Sequence, residues 1–185
     1  MSVPLSKSNF ISSEEYLELE LSSPIKHEYV AGEIFAMTGT SDSHNTIAGN
    51  LYMLLREHLR GTPCRVFMSD VKLKVEAADA YFYPDVMVTC ETAPDSHFRE
   101  QPKLIIEVLS DSTAKFDRED KRRMYQSLES LQEYILVAQA CMDVRVYRRS
   151  HEGWEMTIYT DNAVIPLHSV ALETAIERIY ESAWD

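Results

Sequence analysis

The spacing of apolar positions changes several times along this chain, and each change marks an element. Tyr16, Leu17, Leu19 and Leu21 supply apolar surface behind Ser12-Ser13-Glu14-Glu15, a helix-start pattern, and Ser22-Ser23-Pro24 stops that helix. Tyr29 to Met37 reads as a hairpin turning at Ala31-Gly32. Ile47, Leu51, Leu54, Leu55 and Leu59 recur at helical spacing after the capping segment Ser41-Asp42-Ser43, and Gly61-Thr62-Pro63 ends the run. Arg65 to Val75 then alternates as one strand, Phe67, Val71, Leu73 and Val75 on one side and Asp70, Lys72 and Lys74 on the other. Tyr81 to Cys90 and Lys103 to Leu109 are more continuously apolar, as central strands covered on both faces are. Pro84 cannot donate to a ladder, so it predicts a bulge or break beside Asp85.

A helix from about Phe116 to Leu128 follows, then a strand at Glu133 to Val137. Met142 to Arg148 and Trp154 to Tyr159 predict an antiparallel pair turning at Glu152-Gly153, and Leu172 to Tyr180 a short terminal helix. The order from Ser43 to Val137 is helix, three strands, helix, strand. The expected class is therefore α/β, one domain over residues 1–185 with its core at about 43–139. An N-terminal helix and hairpin and a C-terminal antiparallel strand pair flank that core.

Composition narrows the function classes. A formal charge of −12 argues against strong, indiscriminate DNA binding, because phosphate neutralisation supplies most non-specific affinity. The exception is local: Lys115, Arg118, Lys121, Arg122 and Arg123 cluster in one stretch. Five glycines offer no Gly-rich phosphate loop. The first residues lack a signal-peptide core, and charges are too frequent for a membrane span, so the expectation is a soluble cytoplasmic protein. Cys64, Cys90 and Cys141 lie far apart without Cys-x-x-Cys spacing, which predicts buried thiols and neither a zinc site nor a disulfide scaffold.

Two acids stand alone inside apolar strand-like runs: Asp85 in Tyr83-Pro84-Asp85-Val86-Met87-Val88, and Glu107 in Leu104-Ile105-Ile106-Glu107-Val108-Leu109. A carboxylate stripped of water there needs a cation, a donor or a raised pKa. In suitable register the two would meet across a sheet and repel, and a hard cation would resolve the repulsion. Magnesium or manganese suits this oxygen-only pair better than zinc. Lys121 is four residues from both Asp117 and Tyr125 on the following helix, so these share a face that can project Lys121 towards the carboxylates. The competing reading is a solvated lysine paired with Asp117.

The element order, with one acid on the second strand and one on the third, resembles the PD-(D/E)XK nuclease core. Tyr83-Pro84-Asp85-Val86, Ile106-Glu107-Val108-Leu109-Ser110-x-Ser112-Thr113, and Asp117 to Lys121 to Tyr125 resemble more narrowly the Uma-two family, described as putative restriction endonucleases. His27-Glu28-Tyr29-Val30-x-Gly32-Glu33-Ile34, Ser43-His44-Asn45, Leu131-x-Glu133-Tyr134 and Val144-x-Val146-Tyr147 extend the likeness over most of the chain. The resemblance implies that Asp85 and Glu107 are metal ligands and Lys121 the catalytic lysine. The superfamily's lysine normally lies two residues after the second acid, where this chain has Leu109.

Three residues are secondary candidates. His44, in the first turn of its helix, suits either a hydrogen bond to a scissile phosphate or metal-bound water, or a capping role. Asp70 is an auxiliary ligand or half of a surface ion pair, and Glu33 an accessory acid at the rim or a solvent-facing hairpin carboxylate. The expected function is a magnesium- or manganese-dependent endonuclease hydrolysing DNA. The alternative is a catalytically inactive nuclease-like domain acting as an interaction or nucleic-acid-binding module. Cutting both strands of a duplex would favour a two-fold homodimer, with Met142 to Tyr159 as a candidate edge.

Overall fold

A computed structural model describes residues 10–91, 97–110 and 117–184, with the backbone alone at 117 and 118. The expectations that fall on Ser112, Thr113, Lys115, Phe116 and the side chains of Asp117 and Arg118 lie outside the described residues. Helix α1 (Ser13–Ser22) starts with the expected capping box, Ser12 and Glu15 exchanging side-chain to backbone hydrogen bonds. Strands β1 (His27–Val30) and β2 (Glu33–Ala36) form the hairpin. Its turn residues Ala31 and Gly32 both have positive φ, 46° and 92°. The φ of Gly32 favours glycine there, and a Cβ would also displace the exposed Phe10 ring packed over it. Helix α2 (Asp42–His58) is capped by Ser41, whose hydroxyl accepts from the His44 N–H.

The chain then departs from the simple reading. Arg65 to Val75 is two strands, β3 (Arg65–Phe67) and β4 (Lys72–Val75), in different sheets. Tyr81 to Cys90 divides likewise into β5 (Ala80–Phe82) and β6 (Val86–Thr89), so the break expected at Pro84 is a change of sheet. The two crossings lie side by side, the Ser69 N–H donating to the Pro84 carbonyl at 3.0 Å. Ser69 adopts a φ of +46°, which turns the chain sharply between the sheets. Alternation alone cannot report such a crossing, because both halves remain extended.

Strands β7 (Phe98–Arg99), β8 (Pro102–Leu109), β9 (Glu133–Ala138), β10 (Val144–Ser150) and β11 (Gly153–Tyr159) complete the two sheets. One has five strands in the order β2-β1-β5-β4-β7, the other six in the order β11-β10-β9-β8-β6-β3. In the larger sheet β8 and β9 run parallel and every other neighbouring pair is antiparallel. Helix α2 covers one face, burying Ile47, Leu51 and Leu55 against Val86, Val88, Leu104, Ile106 and Val108. The other face, with Met87, Ile105 and Leu136, packs on Leu73, Val75 and Phe82 of the smaller sheet. Burying three such helix side chains is worth about 1.5–3 kcal/mol each.

One helix expectation is refined and one corrected. The helix expected from about Phe116 to Leu128 is, from its first described residue, a π-helical turn at Asp117–Lys121 that runs directly into α3 (Arg122–Gln126). Leu172 to Tyr180 is strand β13 (Leu172–Ala175), paired with β12 (Val164–Leu167), followed by one turn of helix α4 (Ile176–Ile179). The pairing gives Leu172 and Thr174 a ladder that local periodicity does not disclose. The cysteine reading is also overturned: Cys64 and Cys90 form a disulfide, and Cys141 is exposed. Antiparallel pairing of β3 with β6 sets Arg65 opposite Thr89, which brings the two thiols 26 residues apart face to face. No described helix is long and apolar enough to cross a membrane.

Candidate functional site

The site forms where the two sheets part. Strands β6 and β8 pair antiparallel with Val86 opposite Ile106, so the next position along sets Asp85 opposite Glu107. Regular pairing stops there and side chains take over from the ladder. Asp85 Oδ2 accepts from the Val108 N–H at 2.8 Å, and Glu107 Oε2 lies 3.4 Å from the Asp85 N–H. Each acid thus leans on the other's strand, and the change of sheet at Pro84 leaves the pair open on one side.

Three elements bring the remaining groups. From α2, His44 sets Nε2 3.2 Å from Asp85 Oδ2. At the junction of the π-helical turn with α3, Lys121 donates from Nζ to Glu107 Oε1 at 3.3 Å and to Glu28 Oε1 at 2.9 Å. One turn later the Tyr125 hydroxyl donates to the same Glu107 oxygen at 2.9 Å. Lys121 and Tyr125 therefore do share a face, and it points inward. Glu28, Glu107 and Lys121 are all buried. Burial pushes the Tyr125 phenol well above its usual range, and the neighbouring Glu107 carboxylate adds to the rise.

A second layer holds this one. Tyr16 of α1 is fully buried against the rings of Tyr29 and Tyr81, with centroids 5.1 and 5.4 Å away. That contact fixes α1 on β1 and aims Glu20 inward. Glu20 accepts from the His27 N–H at 2.9 Å and from the Tyr83 hydroxyl at 2.9 Å, so one carboxylate sets both β1 and the wall of the site. Burial, then the Glu20 hydrogen bond, raises the Tyr83 phenol above its ordinary value.

Above these groups lies a cleft of about 610 Å³. Glu28, His44, Tyr83, Asp85, Glu107 and Lys121 line it, together with Lys26, Phe35, Met37 and Met68. The structure thus gathers four of the six sequence candidates: Asp85, Glu107, Lys121 and His44. The other two stay outside. Asp70 is exposed and paired with Lys26, and Glu33 is exposed at the hairpin opposite Val30. The sequence reading overlooked Glu28 as a site residue. Its signal was the same one that marked Asp85 and Glu107, a lone acid in an apolar strand, here diluted by the short run His27-Glu28-Tyr29-Val30.

Known proteins resemble this chain in sequence and in fold. The Uma2 family, described as "Putative restriction endonuclease", matches residues 13–177. Two uncharacterized proteins of Synechocystis sp., slr1290 and sll1609, are each 36% identical to the chain, over 173 and 161 residues. The alignments span 92% and 84% of this chain and 91% of each relative. A crystal structure of a putative nuclease belonging to DUF820 from Anabaena variabilis superposes with a TM-score of 0.77 at 20% identity, covering 92% of this chain and 97% of that one. With a family match running from α1 into α4 and a shared restriction-endonuclease-like α/β fold, the chain belongs to the Uma2 family.

Proposed function

We propose that this protein is a metal-dependent endonuclease that hydrolyses DNA phosphodiester bonds, with magnesium or manganese held by Asp85 and Glu107. The observation that carries the reading is the meeting of those two carboxylates at the end of the β6–β8 ladder, beside a buried lysine and under an open cleft. The donor set fits the ion. Both ligands are oxygen donors, and no cysteine lies among the described residues lining the cleft. Nor do three His, Cys, Asp or Glu side chains close into a ready-made metal cage among the described residues. That suits magnesium, which is held by one or two carboxylates and leaves its other positions to water and substrate phosphate. Bound there, such an ion supplies a Lewis acid for the phosphoryl group and a more acidic water.

The protein's own groups prepare the site. The Val108 N–H and His44 fix one Asp85 oxygen, while Tyr125 and Lys121 fix one Glu107 oxygen. Lys121 holds a positive charge in a low-dielectric wall, where it opposes negative charge developing on a phosphate. Arising from the π-helical turn, it does the work that position 109 would do in the usual spacing of the superfamily. Glu28 keeps that ammonium in place.

The test is calorimetric titration of magnesium and manganese into wild type and Glu107→Gln, with cleavage of plasmid and oligonucleotide DNA run in parallel. Binding and cleavage that both vanish in the variant support the reading. A folded wild type that neither binds manganese nor cuts DNA overturns it. One feature favours the alternative, a nuclease-like interaction module: Lys121 is already neutralised by two carboxylates, within a chain of charge −12. A module keeps its partner binding in Glu107→Gln.

A further inference from the structure

We propose that the cleft admits a single DNA strand, one base lying against Phe35, in preference to an intact duplex. The inference rests on the nuclease reading for its chemistry, though the binding it describes can be measured alone. It starts from depth. The Glu107 and Lys121 side chains are 4% and 8% exposed, so a phosphate must descend into the cleft to approach them. The cleft, of about 610 Å³, falls within the roughly 300–1,000 Å³ that holds a small ligand. A duplex carries its phosphates on a rod of stacked base pairs, stiff over a persistence length of about 150 base pairs. A strand free of its complement has no such restraint.

The walls point the same way. Phe35 pairs with Glu28 across the β1–β2 hairpin, so its ring lies on the side of the sheet that presents Glu28 to Lys121. Phe35, Met37 and Met68 are half-buried and give the cleft an apolar wall beside its charged floor. That combination serves an unpaired base, which stacks on an aromatic ring while its phosphate is held elsewhere. Duplex DNA keeps its base faces covered.

Charge completes the argument. Among the described residues lining the cleft the lysines are Lys26 and Lys121. Lys26 is paired with Asp70 and Lys121 with Glu28 and Glu107. Among the described residues of the cleft, two lysines that already face carboxylates supply little charge for tracking many duplex phosphates, in a chain of net charge −12. A short strand anchored by one stacked base needs few such contacts.

The experiment is fluorescence anisotropy in EDTA with a labelled single strand of about eight nucleotides and a blunt hairpin duplex of the same sequence, over a salt series. The single strand is expected to bind wild type at least about tenfold tighter than the duplex. Its log K should fall with log salt at a slope of about −1 to −2, at roughly −0.7 per phosphate contacted. Phe35→Ala should weaken single-strand binding about tenfold, and Phe35→Trp should retain it. Met68→Ala gives a second probe of the wall should Phe35→Ala fail to fold. Equal or tighter duplex binding, no binding of either DNA, or a folded Phe35→Ala with unchanged affinity overturns the inference. Manganese cleavage assays separate the two ideas. Single-strand binding without cleavage removes only the nuclease reading. Preferred cutting of duplex that is lost in Glu107→Gln removes only the single-strand inference.

Discussion

Glu107 and Glu133 lie on neighbouring parallel strands, both buried and both next to apolar runs, yet they occupy opposite kinds of environment. Glu133 is fully enclosed. Its oxygens accept from Arg148 Nε at 2.9 Å, from the His168 and Ser169 N–H groups at 3.1 and 2.8 Å, and from the Ser169 hydroxyl. Arg148 reaches on to the Pro166 carbonyl, so this carboxylate ties β9 and β10 to the β12–β13 hairpin. Glu107 instead shares one lysine with Glu28, faces Asp85, and lies at the floor of a cleft. The first site is saturated by donors and closed. The second gathers more negative charge than its near donors neutralise and opens outward. Burial of a carboxylate therefore says little about function until its donors are named, and a surplus of acid beside an opening is what distinguishes a site from a strut.

The sharpest way to break the contrast is to exchange each acid for its amide. Glu107→Gln should reduce DNA cleavage by at least about a thousandfold while metal-free stability moves by less than about 1 kcal/mol, because Lys121 keeps Glu28 as its partner. Glu133→Gln should act in reverse. It orphans the Arg148 charge and turns an amide donor towards others, costing about 3–5 kcal/mol and lowering Tm by roughly 10 °C. Denaturant unfolding of both variants checks this, and equal losses at the two positions would erase the distinction.

Tyr125→Phe probes the open site more gently. It removes one donor from Glu107 without changing the packing of the ring, for an expected loss of about 1.5–3 kcal/mol. Restored stability on adding manganese would tie that loss to the carboxylate. Smaller still is the expected alkaline response. Burial is the leading cause that raises the phenols of Tyr16, Tyr83, Tyr125 and Tyr180 above the ordinary 10.0. With folded values above unfolded ones, their contribution is intact below pH 10 and is lost as pH rises beyond it. Absorbance at about 295 nm should show these four ionising only with unfolding, and early ionisation of all four would contradict their burial. Asp70→Asn should cost less than about 1 kcal/mol, since its pair with Lys26 is exposed.

Local chemistry carried much of the site. A lone acid in an apolar run is visible without a fold, because a buried charge is expensive whatever surrounds it. Asp85 and Glu107 could be singled out on that ground, and the spacing of Lys121 and Tyr125 placed both on one helical face. Glu133 shows the limit of that signal. It ends the apolar run Tyr134-Ile135-Leu136-Val137 much as Glu107 sits in its own, and only Arg148 and Ser169, neither near it in the chain, make it structural. Glu28 shows the converse, a site residue whose strand is too short to make the acid conspicuous.

What the sequence determined by itself was whatever depends on neighbours within a few residues. That includes the Ser12 and Ser41 caps, the Ala31-Gly32 turn, the break at Pro84, the apolar stripe of α2, and the types of group at the site. Tertiary structure alone decided the sheet changes after Phe67 and Phe82, the Cys64–Cys90 bond, the strand at Leu172, the π-helical turn that carries Lys121, and the arrival of Glu28 at Lys121. Each of these joins residues distant in the chain through register or sheet packing. Periodicity records which side chains need cover and leaves open which partner supplies it.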